Sequence, residues 1–204
     1  MIPKIIIFIS VYLLAAMPFG YWIGLLLGKD LLKEGSKSTG ATNALRVLGK
    51  KPAIAVLVLD ILKGYLPIFI VENYLTNFLP KESWIFLILS LLPIIAHSKS
   101  VYIGFKGGKS SATGLGVLLA LNPLVAIMTI IIWISTVKLS KYSSMGSIVA
   151  IPFVPVWLYL FHEPLSVISF GIIAFIYIVP IKHRTNIARL IAGTEPKVGE
   201  VSGA

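Results

Sequence analysis

The chain contains no cysteine. Disulfides, thiolate zinc sites and a cysteine nucleophile are therefore excluded. Acidic residues are scarce: Asp and Glu total 8, and the only aspartates are Asp30 and Asp60. A Ser-His-Asp triad has little to draw on, and carboxylates are too sparse near the polar motifs for a magnesium cage. No metal or cofactor site is expected. Charged residues of both signs make up only 13% of 204 residues, against 57% hydrophobic and a mean hydropathy of +0.92. These values lie far from those of a soluble domain and define a membrane-embedded chain, read as one domain over residues 1–204.

What charge there is has one sign. The net charge is +10, which in a soluble protein would suggest nucleic acid as a partner. Here the cations sit in short loops between apolar spans, so no nucleic acid is expected and the partner is the bilayer. Ile5 to Leu27 is 23 residues without a charge, enough to cross the hydrocarbon core. It is too weakly basic at its start for a cleaved signal peptide. Further apolar stretches run over Pro52–Val71, Ser83–Ala96, Ala112–Val137, Met145–Phe161 and Pro164–Ile181.

Ala112–Val137 reads either as one helix or as two broken at Asn122-Pro123, since proline disrupts a helix interior. Counting basic residues decides between them. Gly28–Lys51, His97–Lys109, Lys138–Lys141 and the tail from Lys182 hold 6, 3, 2 and 4 of the 18 lysines and arginines. Only a break places all four segments on one side. The expectation is an all-α integral membrane protein with seven transmembrane helices, some short or broken, the N-terminus outside and the C-terminus cytoplasmic. The fourth helix, Ala112–Leu121, is then shorter than the bilayer, and must be buried in protein, thin the membrane or line a cavity.

The polar residues gather on that basic side. Gly104 to Gly116 reads Gly-Phe-Lys-Gly-Gly-Lys-Ser-Ser-Ala-Thr-Gly-Leu-Gly. Gly107 and Gly108 permit positive φ and close backbone approach, backbone N–H groups there can form an anion site, and Lys106 and Lys109 flank it. Ser110, Ser111 or Thr113 can cap the helix that follows. The alternative is a flexible basic loop. A nucleotide P-loop is excluded: three residues separate Gly104 from Gly108-Lys109-Ser110, and that motif needs four. The first loop, Gly35 to Asn43 followed by Arg46, carries hydroxyls, an amide and a guanidinium suited to a phosphate, although the same residues also favour ordinary turns. The tail offers His183, Arg184, Asn186 and Arg189, either a ligand set or a basic helix at the headgroups. Asp60 and Lys63 are charges within a span and so functional candidates by default, but three apart they lie on one helix face and read as an ion pair; His97 could be a ligand group and reads rather as a cap or interface residue. Ser144 and Ser147 can reach the basic face or cap a helix. His162 falls on the opposite side and receives no role.

Together these segments resemble the acyl-phosphate–glycerol-3-phosphate acyltransferase family (PlsY type) of bacterial inner membranes. The resemblance covers essentially the whole chain and rests on Gly35–Arg46, His97–Thr113 and Lys182–Lys197, with Asp60-x-x-Lys63-Gly64 beside them. Lys37 and Ser38 stand where that family usually has glycine and asparagine, so no role is given to Ser38. The resemblance implies transfer of a fatty acyl group from acyl phosphate to the 1-hydroxyl of sn-glycerol 3-phosphate, yielding 1-acylglycerol 3-phosphate and phosphate. This is the first acylation step of bacterial phospholipid synthesis, at the cytoplasmic face of the inner membrane. A functional link to the enzyme that makes acyl phosphate follows. It also implies that Ser36, Arg46, Lys109, Ser147, His183 and Asn186 hold the phosphate-bearing substrates, with Thr42, Asn43, Gly107 and Gly108 shaping the loops.

The residues suit this chemistry. Both substrates are anionic and phosphate is a good leaving group, so no strong general acid is needed. Glycine-loop N–H groups or Lys109 can stabilise the oxyanion. The proton of the attacking hydroxyl goes either to His183, the one motif side chain titrating near neutrality, or to a phosphate oxygen of the acyl donor. The second route is favoured, because no carboxylate in the last motif lies close in sequence to His183. A transporter for an organic phosphate is the rival class, disfavoured by the one-sided polar groups and the absence of an evident inverted repeat. A purely structural subunit leaves the glycine-lysine loop unexplained.

Overall fold

A computed structural model describes residues 2–200 and is entirely helical; of the sequence reading, Met1 and residues 201–204 lie outside the described residues. Helices α1 (Ile2–Ala16) and α2 (Phe19–Leu26) make up the first apolar span. The continuous helix expected over Ile5–Leu27 is interrupted at Met17-Pro18, where proline ends the first half. The loop expected from Gly28 to Lys51 contains a short helix, α3 (Ala41–Leu48), and α4 (Lys50–Tyr74) follows it directly. Helix α5 (Trp84–Ser98) starts at Ser83, whose Oγ accepts a hydrogen bond from Phe86 N at 3.2 Å.

The chain then breaks where Asn122-Pro123 predicts. Helix α6 (Ser111–Leu121) ends, and α7 (Pro123–Ser140) begins with Asn122 Oδ1 accepting from Val125 N at 3.0 Å. Next come α8 (Ser143–Ala150), a 3-10 turn at Ile151–Phe153 and α9 (Val154–Leu160), together one apolar span. The last span joins α10 (Leu165–Ile176) to a π-helical segment, Tyr177–Lys182, before α11 (Arg184–Ile191). Among the described residues, five stretches are long and apolar enough to cross a membrane, and α5 and α6 are shorter apolar helices.

Little hydrophobic force draws helices together inside lipid, so small residues and polar contacts set the packing. Helix α6 lies against α4 through two glycines. A Cβ on Gly64 would stand 2.2 Å from Thr113 O, and one on Gly116 2.0 Å from Ile61 O. Phe86, Leu89, Val117, Leu121, Leu158 and Phe170 form the centre of the main core.

At one end, Lys81 closes the bundle. Its Nζ lies 2.8 Å from Glu72 Oε1 and 3.1 Å from Glu163 Oε2, and donates to Leu121 O, the last carbonyl of α6, at 3.0 Å. Burial opposes charge there, but Glu72 and Glu163 hold the ammonium above its ordinary pKa. Asn122 Nδ2 donates to Glu163 Oε1 at 2.8 Å. The polar end of a helix too short for the bilayer is thus satisfied by side chains rather than water.

The close α4–α6 contact yields one expectation. Gly64→Ala forces a methyl into Thr113 O and should lower stability by about 1–3 kcal/mol. A thermal midpoint in detergent equal to that of the parent would show that the contact is not tight.

Candidate active site

At the end of the bundle opposite Lys81, one cavity of about 350 Å³ opens among α3, α4, α6, α7, α8 and the segment from His183 to Glu195. The first loop reaches it because Asn43 holds the turn together. Asn43 is buried; its Oδ1 accepts from Ser36 N at 2.7 Å and its Nδ2 donates to Ser38 O at 2.9 Å and to Leu31 O and Glu34 O, each at 3.1 Å. Gly35, at φ +60°, leaves room for the Asn43 amide. Thr42 Oγ1 shares a hydrogen bond with Ser143 Oγ at 3.0 Å, joining the first loop to α8. Lys37, standing in place of the glycine of the family pattern, adopts φ +54°, a left-handed conformation natural to glycine. Ser38 is buried and lines the cavity.

The glycine-lysine loop is built differently from the sequence expectation. Positive φ falls on Gly104, Phe105 and Ser110, and not on Gly107 or Gly108. Those two are small because His97 is close: a Cβ on Gly107 would meet His97 O at 2.1 Å, and one on Gly108 would meet His97 Nε2 at 2.0 Å. Ser110, expected as one possible cap, makes no cap bond. Its Oγ donates to Ile94 O at 2.6 Å, tying the loop to α5, and Ser111 Oγ and Thr113 Oγ1 are buried without a hydrogen-bond partner. Lys106 points away, exposed and outside the cavity, whereas Lys109 is drawn in.

Glu195 fixes the far wall. Its Oε1 accepts from Ser144 Oγ at 2.7 Å and Asn186 Nδ2 at 2.6 Å, and its Oε2 accepts from Arg189 Nε at 2.7 Å. Burial disfavours its charge, but these donors hold its pKa below the usual carboxylate value. A carboxylate only accepts, so the Asn186 amide turns its NH₂ to Glu195 and its oxygen to Lys109 Nζ, 2.5 Å away. Arg46 is 8% exposed; its Nη2 donates to Pro196 O at 3.2 Å, and its Nε has no partner. Burial lowers the Arg46 pKa, with Arg189 adding to the effect against Glu195. Burial, then Arg189, lowers Lys109 to about 8. Arg46, Lys109 and Arg189 thus face one carboxylate, and an anion would relieve the excess.

His183 sits at the junction. Across the π-helical turn Ile178 O accepts from His183 N at 3.1 Å, and His183 Nδ1 lies 2.8 Å from the same oxygen. A carbonyl cannot donate, so Nδ1 carries the proton and Nε2 keeps its lone pair. His183 precedes α11 as its N-cap, and Asn186 is in the helix. Burial, aided by Lys109, pushes His183 down to about 4. The expectation that it titrates near neutrality is therefore corrected: it is neutral at pH 7. Ser147 lines the cavity and accepts from Trp133 Nε1 at 3.3 Å.

The cavity thus gathers Ser36, Thr42, Asn43, Arg46, Lys109, Ser147, His183 and Asn186, while Lys106, Gly107 and Gly108 lie outside it. The sequence reading assigned no role to Glu195, although the residue closes the last motif, nor to Asp60 and His97 beyond packing. All three line the cavity. A carboxylate isolated among basic motif residues was the available signal. Toward the membrane the walls become apolar, with Leu57, Ile61, Leu115, Ile130, Trp133, Ile134 and Ile151. Among the described residues, no three His, Asp or Glu side chains converge as metal ligands do.

A cationic chamber opening onto an apolar slot inside a helical membrane bundle defines a membrane protein that handles an anionic, lipid-like molecule. Comparison with known proteins narrows the class. The pattern of the family described as glycerol-3-phosphate acyltransferase matches residues 5–193, and this chain belongs to that family. It is 42% identical to the glycerol-3-phosphate acyltransferase of Crocosphaera subtropica, over 93% of this chain and 91% of that one. It is 43% identical to that of Desulfotalea psychrophila, over 90% and 92%. Its fold is similar to crystal structures of PlsY, an integral membrane glycerol 3-phosphate acyltransferase. The glycerol 3-phosphate form gives a TM-score of 0.89 and the lysophosphatidic acid form 0.86, each at 35% identity over 96% of this chain and 95% of PlsY.

Proposed function

We propose that the protein transfers a fatty acyl group from acyl phosphate to the 1-hydroxyl of sn-glycerol 3-phosphate, as the first acylation of phospholipid synthesis. The observation that carries this is the continuity of the chamber around Arg46 and Lys109 with the apolar slot between α4, α7 and α8. One end suits a phosphate and the other a hydrocarbon chain. In the reaction, the hydroxyl oxygen attacks the acyl carbon, the bond from that carbon to the phosphate oxygen breaks, and phosphate leaves with the electron pair. The proton of the hydroxyl ends on phosphate. Arg46 and Lys109 bind phosphate oxygens, with Ser36 and Ser147 as hydroxyl donors. The oxyanion forms beside Lys109. Asn186, locked by Glu195, holds Lys109 in place.

Release of phosphate by purified protein in detergent, where no sealed compartment exists, tests the reading. It should require both acyl phosphate and glycerol 3-phosphate. Lys109→Ala should abolish nearly all of it while the protein stays folded, since one charge-assisted bond is worth about 1.5–3 kcal/mol even before transition-state charge is counted. Near-normal turnover in that variant would remove the loop from the site.

His183 acts here as a neutral partner whose Nε2 accepts a hydrogen bond from the substrate, and the phosphate oxygen of the donor takes the proton. His183→Gln should then keep measurable turnover and the parental pH–rate shape, while His183→Ala loses far more. Equal inactivity of the two variants would make His183 the base.

The cavity opens to the cytoplasm of a bacterial inner membrane in this reading, which supports direct supply from the enzyme that makes acyl phosphate. Seven crossings place all four basic segments there. Single cysteines at Lys37, Lys106, Lys141 and Arg184 should be protected from an impermeant thiol reagent in intact cells. Labelling of the Lys141→Cys or Arg184→Cys variant from outside would overturn the count.

A further inference from the structure

Three ionisable side chains lie buried beneath the glycine-lysine loop and outside the roles assigned so far. Asp60 is 1% exposed, Lys63 2% and His97 5%. Asp60 Oδ1 lies 2.8 Å from Lys63 Nζ, and Lys63 donates to Met17 O at 2.7 Å, at the break between α1 and α2. Asp60 Oδ1 is also 3.5 Å from His97 Nδ1. That separation is long for a hydrogen bond but within reach of charge–dipole attraction in a low dielectric. The other face of the same imidazole abuts Gly108, where any Cβ would collide with Nε2 at 2.0 Å. The His97 carbonyl accepts from Gly108 N at 3.2 Å. Gly108 is therefore gripped from two directions by one residue, and the next residue in the chain is Lys109.

A packing role alone does not account for these groups. Burying a carboxylate and an ammonium is expensive, and apolar residues of the same volume serve stability as well or better. Among the described residues, neither Asp60 oxygen nor His97 Nδ1 has a hydrogen-bond partner, so charge attraction alone joins the carboxylate, through Oδ1, to Lys63 and His97.

We propose that Asp60 and His97 are positioning residues: the carboxylate orients the imidazole, the imidazole and its carbonyl clamp Gly108, and the clamp seats Lys109 against Asn186. This rests on the proposed acyl transfer. Lys63 and Met17 O anchor the carboxylate from the opposite side, so the chain of contact runs from the α1–α2 break to the reacting end of the cavity. Misplacing the Lys109 ammonium by about an ångström would slow the chemistry while leaving Arg46, Ser36 and Ser147 to bind glycerol 3-phosphate.

The test compares steady-state acyl transfer by the full chain in detergent. Asp60→Asn keeps the shape and removes the charge. It should lower kcat on the order of a hundredfold, the scale of a one-ångström misplacement, with a much smaller change in KM for glycerol 3-phosphate. A second readout follows Lys109 itself. Its charge is felt by Arg46, Arg189, Lys182, His183 and Glu195, and with its pKa lowered to about 8 its deprotonation should set the alkaline limb in the parent. In Asp60→Asn the displaced ammonium is better solvated, so that limb should move to higher pH. A merely structural role would lower the amount of folded protein without moving the limb. The third readout is a steric cycle. Gly108→Ala drives a methyl into the His97 ring and should be nearly inactive; in a His97→Ala background the same change should add no further loss.

Asp60→Asn protein that folds, turns over at the parental kcat and keeps the parental alkaline limb overturns the proposal. So do losses from Gly108→Ala and His97→Ala that multiply. If Asp60→Asn yields no folded protein, the Gly108–His97 cycle decides alone. The parent is assayed alongside: absence of acyl transfer there sinks the functional reading, whereas an active parent with unaffected variants sinks only the positioning role.

Discussion

An α-helix of 11 residues is only about 16 Å long, roughly half of the hydrocarbon thickness. The rest of the structure follows from that shortfall in α6. A helix end left inside an apolar layer must find partners for its backbone groups. At the C-terminal end of α6, Lys81 supplies one; Glu72 and Glu163 hold Lys81 in turn, and Asn122 holds Glu163. At the N-terminal end, the chain does not emerge at once. It turns through Ser110, tied to α5 at Ile94 O, so that Lys109 lies in the cavity instead of on the surface. The glycines of the α4–α6 contact set the depth of that recess, because they let two backbones meet through Gly64 and Gly116. A longer α6 would raise Lys109 towards water, where its charge would be screened and its hold on an anion weaker.

The electrostatics of the recess follow the same logic. Acidic residues are few, and Glu195 is placed where it organises geometry without neutralising the site. One carboxylate accepts from Ser144, Asn186 and Arg189, and so ties the tail to α8 and α11 at once. Arg46 keeps an unpartnered Nε and makes its one side-chain hydrogen bond to a backbone carbonyl. Burial presses Lys109 towards neutrality and His183 well into it. The chamber is thus cationic but not saturated, and in the proposed reaction an incoming phosphate would restore the charge balance, met by fixed donors with little reorganisation.

Much of this was legible in the sequence, and the reasons differ by element. Charge-free runs gave the apolar stretches, because hydrocarbon admits almost nothing else. The lysine and arginine count located the break at Asn122-Pro123 before any geometry was known. The first-loop motif and the tail were read as phosphate ligands from residue type, and they do meet at one cavity with Lys109. What stayed hidden depends on tertiary contact. The need for Gly107 and Gly108 arises from His97, ten and eleven residues back in α5, so local turn chemistry misplaced the positive φ. The π-helical turn that orients His183 has no simple pattern beyond Pro180. The departure of His183 from its ordinary pKa comes from burial, which a juxtamembrane basic segment does not advertise. Lys106 and Lys109 are equivalent in sequence, and only the loop path sends one out and the other in. Thr42, Asn43 and Arg46 were readable as a group, but the hydrogen bonds of Asn43, which make the loop, were not.

The two departures from the family pattern illustrate how far a site tolerates a local conflict. Lys37 occupies left-handed backbone, where a side chain other than glycine costs about 1–2 kcal/mol. The loop keeps its shape because the conformation is imposed from elsewhere. Gly35 takes the other left-handed position, and Asn43 hydrogen-bonds to Ser36 N on one side of Lys37 and to Ser38 O on the other. The intervening residue therefore has its φ dictated by the turn. Its side chain is exposed and carries no contact that the cavity needs. Ser38, next in the chain, is buried at the cavity wall, where its Oγ lies 3.4 Å from Gly40 N. A glycine at position 37 relaxes strain but adds nothing to the site, whereas a change at Asn43 would release both sides of the turn together. Identity matters here in proportion to the number of backbone groups a side chain holds, and by that measure the amide of Asn43, not position 37, carries the loop.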